Sequence, residues 1–282
     1  QMNQEVVVLA SGRVVQDQVL FYDFSEGAGA TVNDLSGVGT PVNLTIPDAS
    51  KVSWLSCGGL SIDQPTFISA VASPLKMIDA VQGSNELTIE AWVTPENTTQ
   101  SGPARIVTYS IDGSNRNFTL GQNKTNYDVR LRTTATNNNG LSPNLSGTGN
   151  DVATTLTHVV YTRDTLGQAK LYKNGALVKT VTIASSMDNW NSGYVFGLAN
   201  ENGTDRHWLG DFHLVAVYSR ALVQEEVEQN FLQGGGDTCS NVNAAPVLTA
   251  IADQTVLENT TATIALSASD ADNDVLTFSV TG

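Results

Sequence analysis

The sequence predicts an all-β sandwich with one short helix near the end of its main domain. Short runs rich in Val, Ile, Thr and aromatic residues recur between clusters of Gly, Asn, Ser and Asp from residue 19 to residue 217. Apolar and polar side chains alternate within several of these runs, as in strands that have two different faces. The pair Asn174-Gly175 is a strong signal for a tight hairpin turn. The 40% content of hydrophobic residues is that of a globular protein.

The most regular strands lie between residues 156 and 181. A turn at residues 164–167 joins two of them, and Asn174-Gly175 turns the chain again, so residues 177–181 are predicted to run antiparallel to residues 169–173. One face should carry Val159, Tyr161, Ala169 and Leu171, and the other His158, Val160, Lys170 and Tyr172. The pattern predicts a meander built from local pairings.

Only one segment has a helical pattern. Leu222, Val227 and Phe231 lie near helical spacing among Gln and Glu residues, and the glycines of residues 234–236 follow. Glycine commonly ends a helix because it adopts the left-handed conformation without strain. A helix over residues 222–231 is therefore predicted.

Charge limits the classes of partner. The chain has 14 basic and 28 acidic residues, a net charge of −14, which disfavours nucleic acids and anionic membranes as general partners. No stretch approaches the ~20 apolar residues of a membrane span. The chain begins with Gln1-Met2-Asn3 and shows no signal peptide, so we expect a mature or trimmed form of the protein.

A change of composition predicts a domain boundary. Residues 237–246 are small and polar, as linkers are. We therefore divide the chain into a first domain at 1–236, a linker at 237–246 and a second segment at 247–282, which is too short for a complete sandwich. Further domains of the same chain are expected to follow.

Four motifs follow one another in the first domain: LFYDFSEGAGATVNDLSG, ELTIEAWVTP, LTHVVYTRD with LYKNGALV, and WLGDFHLVAVYSRAL before a short helix. In these motifs and in their order, the domain resembles the laminin-G-like, concanavalin-A-like jelly rolls of secreted bacterial proteins. The resemblance implies a jelly-roll sandwich over residues 19–234. It does not imply one ligand, since this fold serves lectins, accessory modules of enzymes and structural spacers.

The second segment resembles the start of a cadherin-like, immunoglobulin-type repeat, on the motifs VLENT and SASDADNDVLTFSV. Asp270, Asp272 and Asp274 alternate along the chain, and Ca²⁺ binds six to eight oxygen ligands. We expect these residues to bind structural calcium, with Glu258 and Asp253 as further ligands. A solvated acidic turn is the alternative.

The jelly-roll resemblance also implies a structural calcium ion near the opening turn and the closing strand. Asp34 matches the family's opening aspartate, but the Asn-rich continuation of that family is replaced by residues 38–40. Asp211 lies two places earlier than the acidic pair of the family's closing strand. Asp34 and Asp211 are therefore candidate ligands, and the alternative is that each accepts backbone N–H bonds in a turn.

The two cysteines predict the compartment. An oxidised Cys57–Cys239 pair would fasten the tail that follows the helix onto the sandwich, and the resemblance places the two ends of the jelly roll together. Two free thiols are the alternative. A zinc site is not expected, because no His or Cys residues lie near either cysteine in the sequence. A disulfide indicates an oxidising, extracellular setting.

The sequence predicts no catalytic constellation. Glu86 and Glu90 lie four residues apart on one strand, which separates them by roughly 13 Å, whereas a retaining glycosidase needs about 5 Å. Glu90 is expected to pair with an arginine across the sheet. His158, His207 and His213 lie outside lyase-like motifs, and each is expected to be structural.

A binding site is predicted from arginine and tryptophan residues that could meet across one sheet. Arginine offers a planar fork to carboxylates, sulfates or hydroxyls, and tryptophan offers a flat surface to a sugar ring. The candidate ligand-binding residues are Arg116, Arg130, Arg132, Trp190, Arg206 and Trp208. The alternatives are that Arg130 and Arg132 pair with Glu90 and Asp205, that Trp208 belongs to the core, and that Trp190 caps one end of the sandwich.

Two functions are therefore open. The first is a non-catalytic module that binds a polysaccharide or glycan. The second is a structural or adhesion spacer stiffened by calcium.

Overall fold

The structure is a computed structural model, and it describes residues 12–203, 205–236, 247–248 and 267–269. Two antiparallel sheets of eight strands each pack face to face, which confirms the predicted all-β sandwich. The strands, in chain order, are β1 (Gln18–Tyr22), β2 (Thr31–Val32), β3 (Leu44–Thr45), β4 (Val52–Trp54), β5 (Leu60–Ile62), β6 (Ile68–Ala70), β7 (Leu87–Pro95), β8 (Ala104–Ser110), β9 (Arg116–Asn123), β10 (Asn126–Leu131), β11 (Leu145–Ser146), β12 (Thr157–Arg163), β13 (Gln168–Lys173), β14 (Ala176–Thr182), β15 (Val195–Leu198), β16 (Gly210–Tyr218), β17 (Val247–Leu248) and β18 (Ala268–Ser269).

The first sheet has the order β14-β13-β12-β7-β16-β5-β4, and β1 pairs with the second half of β16. The second sheet has the order β11-β10-β9-β8-β15-β6-β3-β2. Neighbours such as β7 and β16 are distant in the chain, so the sandwich is closed by long-range pairings. The facing sides of the two sheets enclose one large apolar core.

The hairpin signals are confirmed. β12 and β13 flank the turn at residues 164–167, and β13 and β14 flank Asn174 and Gly175, whose φ angles are 49° and 78°. The two predicted faces are both used. Val159, Tyr161, Ala169 and Leu171 lie in the core between the sheets, whereas Val160 and Tyr172 lie in a second apolar cluster on the outer side of the first sheet.

Two α-helices are present in the described residues, along with a 3₁₀ helix at Ala49–Lys51. Helix α2 (Gln224–Leu232) begins two residues later than predicted and covers the outer cluster with Val227 and Phe231. Helix α1 (Leu75–Ser84) was not predicted. It follows Pro74 and buries Met77, Ile78 and Val81 in the core. These three residues form the buried side of the helix.

Little of the second segment is described. β17 and β18 pair antiparallel, with Val247 opposite Ser269 and Leu248 opposite Ala268. The cadherin-like resemblance and the proposed boundaries at 237–246 and 247–282 fall mainly outside the described residues, and they stay predictions.

Candidate functional site

The outward face of the second sheet carries one row of paired residues across four strands. Arg130 of β10 pairs with Thr119 of β9, Thr119 with Thr108 of β8, and Thr108 with Gly197 of β15. Directly paired residues lie on the same face of a sheet. The alternate residues of these strands, such as Phe118, lie in the core. The hydroxyl oxygens of Thr108 and Thr119 are 3.0 Å apart, so this face is polar.

Glu201 places its carboxylate over this face from the segment that links β15 to β16. Its Oε1 accepts a hydrogen bond from Arg105 Nη2 at 2.7 Å, and its Oε2 accepts bonds from Ser110 Oγ at 3.1 Å and Arg116 Nη1 at 3.4 Å. None of these four side chains belongs to a residue more than 1% exposed. One buried carboxylate therefore holds two buried guanidinium groups.

The surroundings lower the pKa of both arginines. For Arg116 the main cause is burial, which disfavours the charged form, and the charges of Arg105 and Arg130 contribute to a pKa of about 10. For Arg105 the main cause is again burial, which Glu201 opposes and the charges of Arg130 and Arg206 reinforce. Positive charge is therefore concentrated around Glu201.

A cleft of about 890 Å³ opens beside Glu201. This volume is typical of sites that bind small molecules, which occupy about 300–1,000 Å³. The β8–β9 loop, β10, the loop after β10 and the β15–β16 segment all contribute to its walls. Residues that line it include Phe67, Ser114, Arg130, Asn139, Asp205 and Arg206.

Two contacts fix the orientation of Arg130 at the wall of the cleft. Its Nε donates to Asp128 Oδ1 at 3.1 Å, and its Nη1 donates to Asn139 Oδ1 at 3.1 Å. Asn144 Nδ2 donates to the second oxygen of Asp128 at 2.7 Å. The side chain of Arg130 is 16% exposed. It is therefore held in place while still reaching the cleft.

Two glycines allow side chains to lie close to the backbone at this site. A Cβ atom on Gly197 would lie 2.5 Å from Cε2 of Phe67, so the half-buried Phe67 ring packs directly on this glycine. A Cβ on Gly102 would lie 2.7 Å from Cδ of Arg206. The cleft thus combines an aromatic ring with guanidinium groups.

Comparison with known families assigns the fold. A laminin G family model described as the concanavalin A-like lectin/glucanases superfamily matches residues 70–228, more than half of the 282 residues. The chain belongs to this superfamily. The match extends from the end of β6 into α2, and it includes the strands β8, β9, β10 and β15 that carry the cleft.

Solved structures share the fold of this superfamily domain at low sequence identity. A botulinum neurotoxin type C structure, described as interacting with two ganglioside molecules, has a TM-score of 0.55 and 13% identity over 77% of this chain and 51% of its own. Domain 4 of AbnA, an extracellular arabinanase from Geobacillus stearothermophilus, was solved in complex with arabinotriose. It has a TM-score of 0.54 and 18% identity, over 76% of this chain and 98% of its own. Trypanosoma rangeli sialidase has a TM-score of 0.54 and 16% identity, over 75% of this chain and 32% of its own.

The chain spans about half the length of the neurotoxin binding-domain chains that it matches. No curated protein sequence matches it. Neither α-helix of the described residues has the length and apolar character that a membrane-spanning helix requires.

The structure separates the four predicted ligand-binding arginines of this superfamily domain. Arg130 and Arg206 line the cleft, and Arg116 lies beneath it, bound to Glu201. Arg132 lies elsewhere and donates to the Tyr194 hydroxyl at 3.3 Å. The suggested pairing of Arg130 with Glu90 or Asp205 is wrong, because its carboxylate partner is Asp128, two residues earlier on the same strand.

Neither predicted tryptophan is a surface platform. Trp208 is fully buried against Phe212, and its Nε1 donates to Gln122 Oε1 at 2.9 Å. Trp190 is only 6% exposed, contacts Phe118, and donates from Nε1 to the Arg132 carbonyl at 2.8 Å. The expectation of an exposed loop ring at Trp190 is therefore corrected, since the loop turns the indole inward.

Sequence reasoning missed Phe67, Asn139 and the buried pair Arg105 and Glu201. Phe67 and Glu201 come from segments far apart in the chain, and no local pattern marks either residue. The one available signal was Gly197 within the strand-like run YVFGL, because a glycine inside a strand commonly marks a close approach by another group.

At the opening turn, a lysine ammonium group occupies the position next to Asp34 where a calcium ion was predicted. Lys76 Nζ donates to Asp34 Oδ2 at 2.5 Å, Ser36 Oγ at 3.0 Å and the Val38 carbonyl at 2.6 Å. Burial alone would raise the pKa of Asp34, but Lys76 and the backbone amides of Val42 and Ser36 lower it below its ordinary value. Asp34 therefore fulfils the turn role given as the alternative, with its charge balanced by Lys76.

The other predicted calcium ligands are not brought to Asp34. Asp211 lies on β16 of the first sheet, opposite Thr94 of β7 and Ser61 of β5, whereas Asp34 follows β2 of the second sheet. Within the described ranges, no group of three or more His, Cys, Asp or Glu side chains could hold a metal ion. Asp253, Glu258, Asp270, Asp272 and Asp274 lie outside the described residues. Calcium binding by the second segment stays a prediction, as does the Cys57–Cys239 disulfide, because Cys239 also lies outside them.

Glu90 does pair with an arginine, but on the outer side of the first sheet. Its Oε1 contacts Arg13, from the segment before β1, and His158 Nε2 at 3.0 Å, while its Oε2 accepts bonds from Tyr218 at 3.1 Å and Asn230 at 2.8 Å. Burial alone would raise the pKa of Glu90, but the charge of Arg13 and the contact with His158 lower it to about 2. Helix α2 covers this cluster.

The histidines have structural surroundings. The His158 ring stacks on Trp92 at a centroid distance of 4.8 Å and on Phe231 at 5.9 Å, and the Trp92 and Phe231 rings also stack on each other at 5.8 Å. His213 Nε2 lies 3.3 Å from Thr94 Oγ1. His207 follows Arg206 in the β15–β16 segment and is not among the residues that line the cleft.

Proposed function

We propose that the first domain is a non-catalytic, extracellular saccharide-binding module of a larger protein, and that the cleft beside Glu201 is its binding site. The observation that carries this proposal is the presence of Phe67, Arg130, Asn139 and Arg206 in one cleft. A sugar ring has an apolar face, which an aromatic ring covers, and hydroxyl groups, which amides and guanidinium groups bind.

The preformed arrangement of the cleft supports this proposal. Arg130 is fixed by Asp128 and Asn139, and Phe67 is fixed against Gly197, so binding would immobilise few side chains. The superfamily membership and the fold shared with the arabinotriose complex are consistent with saccharide binding.

The carboxylates at the cleft do not form an acid–base pair, which supports a module without catalysis. Both oxygens of Glu201 accept bonds from Arg105, Ser110 and Arg116. Asp205 has a side chain that is 94% exposed, and its nearest cation is Arg206 at 3.9 Å. Glycoside hydrolysis needs two carboxyl groups that flank one bond and differ in protonation.

The test is a glycan array probed with the 282-residue chain, followed by affinity measurements on the glycans retained. Phe67→Ala should weaken binding about tenfold, because a ring stacked on a sugar contributes roughly 1–2 kcal/mol of apolar burial. The matched control is Leu166→Ala, which removes an apolar side chain that is 85% exposed in the β12–β13 turn. This control should bind like the parent.

Asn139→Ala gives a second variant in which no core packing changes, so a loss of binding in both variants with unchanged melting temperatures assigns the cleft. Retention of glycan by Phe67→Ala and Asn139→Ala at the parent's affinity would exclude the cleft. A chain that retains no glycan on the array would leave the spacer function in its place.

A further inference from the structure

The cleft concentrates positive charge in an acidic protein. Four guanidinium groups, of Arg105, Arg116, Arg130 and Arg206, line the cleft or lie directly beneath it, in a chain of net charge −14. Three carboxylates of the described residues pair with these four groups: Arg105 and Arg116 share Glu201, Arg130 pairs with Asp128, and Arg206 Nε lies 3.9 Å from the exposed Asp205. The chain as a whole repels anions, whereas this site attracts them.

The buried arginines are incompletely balanced. Arg105 and Arg116 are 1% and 0% exposed, and Glu201 is the carboxylate of the described residues that pairs with both, while the charge of Asp112 also acts on Arg116. The Nε atoms of both arginines are buried and have no hydrogen-bond partner among the residues that the structure describes. A buried charge without full compensation is costly, so a nearby anion stabilises such a cluster.

Distance along the sheet sets the size of the ligand. Arg130 on β10 and Gly197 on β15, which lies beneath Phe67, are three strand spacings apart, or roughly 14 Å at about 4.8 Å per spacing. This distance exceeds the width of one sugar ring. The aromatic contact and the Arg130 contact therefore fall on different rings of an oligosaccharide.

We propose that the cleft selects an acidic oligosaccharide, whose carboxylate is bound by Arg130 and Arg206 while a different ring stacks on Phe67. This inference rests on the proposed saccharide-binding function and specifies its ligand class. A carboxylate matches the planar fork of a guanidinium group with two parallel hydrogen bonds, and the fixed orientation of Arg130 favours that geometry. Arg206, 47% exposed in its side chain and packed on Gly102, adds the second cation at the entrance.

The experiment is affinity electrophoresis of the 282-residue chain through gels that contain polygalacturonate, alginate or hyaluronate. Each acidic polymer is matched by its carboxyl-reduced, neutral form, so that only the charged group differs. We expect retardation by at least one acidic polymer, with affinity about tenfold higher than for its reduced form, and weakening of that retardation by added salt.

Arg130→Gln should remove the preference for the acidic form, and Arg130→Lys, which keeps the charge but loses the fork, should reduce it. The control is Lys179→Gln, which removes one positive charge from β14 at the far edge of the first sheet and should change nothing. Melting temperatures check that each variant is folded.

Three results with the parent chain would overturn the inference: equal retardation by every acidic polymer and its reduced form, retardation by the reduced forms alone, or no retardation by any of the polymers. The first two leave the saccharide-binding function in place. After the third, the glycan array with Phe67→Ala decides that function independently. Equal retardation of Arg130→Gln and the parent would also overturn it.

Discussion

Two glutamates of the described residues are buried on the outer sides of the sandwich, one at each sheet, and the two differ in what covers them. Glu90 on the first sheet lies beneath α2 and the segment before β1, with Arg13, His158, Tyr218 and Asn230 as partners. Glu201 belongs to the segment that links β15 to β16, reaches over the second sheet, and borders an open cleft.

The difference shows how the same pairing of glutamate with arginine can serve two purposes. Around Glu90, one carboxylate accepts contacts from one arginine and three neutral or titratable groups, and a stacked set of rings excludes water. Around Glu201, one carboxylate is shared by two arginines, and two more arginines lie nearby. The first arrangement is closed and balanced, whereas the second is open and positively charged.

The largest expected effect is that of Glu90→Gln. The substitution leaves Arg13 without its carboxylate in a covered site, so we expect a loss of about 5 kcal/mol in the free energy of unfolding, the upper end for a broken buried ion pair. Urea unfolding measures it. The control Glu225→Gln changes an exposed residue of α2 and should shift the free energy by no more than about 0.5 kcal/mol. A small loss in Glu90→Gln would show that the covered site is not balanced as described.

Glu201→Gln should cost slightly less, about 4 kcal/mol, because solvent and anions reach the neighbouring cleft. Sodium sulfate at constant ionic strength should restore part of this stability. Sulfate also stabilises proteins in general. We therefore compare how much sulfate raises the free energy of unfolding in each protein, and we expect a larger increase in Glu201→Gln than in the parent or in Glu90→Gln. An equal gain in all three proteins would contradict the contrast between an open and a closed site.

The contribution of Glu90 to the free energy of unfolding depends on pH. The pKa of Glu90 is lowered from 4.5 to about 2 in the folded protein, so the unfolded chain takes up its proton first as the pH falls. Stability from this residue is complete above about pH 4.5 and is lost down to about pH 2, a change of about 3 kcal/mol. Asp34, Asp112 and Glu226 also have lowered pKa values and contribute to the loss in both proteins, so unfolding measured across this range should show a loss about 3 kcal/mol larger in the parent than in Glu90→Gln. Parallel curves would refute the assignment.

The smallest effect is expected at the exposed side of the cleft. Asp205→Asn removes a carboxylate 3.9 Å from Arg206, with a side chain that is 94% exposed. Stability should change by less than about 0.5 kcal/mol, while affinity for an acidic polymer should rise about twofold to threefold because a repelling charge is lost. Calorimetric melting and affinity electrophoresis measure the two effects, and weaker binding would show that Asp205 contacts the ligand directly.

Local patterns predicted the parts of the fold that depend on neighbours in the chain. The turn at Asn174 and Gly175, and the two faces of β12 and β13, follow from side-chain alternation and from the conformations that this pair of turn residues adopts. Helix α1 was missed because only Met77, Ile78 and Val81 mark its buried side. The superfamily could be proposed because its motifs are themselves strands and turns.

The site could be predicted only in part, because long-range packing builds it. Arg130 and Arg206 were named from their residue type, but the positions of Glu201 and Phe67 depend on how β15 and β6 join the sheet. Trp190 and Trp208 were named as ligand candidates for the same reason, although the alternative given for Trp208, a place in the core, is the one that the structure shows. A tryptophan in a polar loop has the same sequence signature whether its ring points outward or contacts Phe118 in the core.

Lys76 supplies the positive charge of the opening turn from within the chain. Its ammonium group meets oxygens of Asp34, Ser36 and Val38 and is covalently part of the chain. A tethered cation is present at a fixed effective concentration, whatever the surrounding solution contains. This turn therefore keeps its positive partner during dilution and in the presence of chelators, when a dissociable ion would be lost.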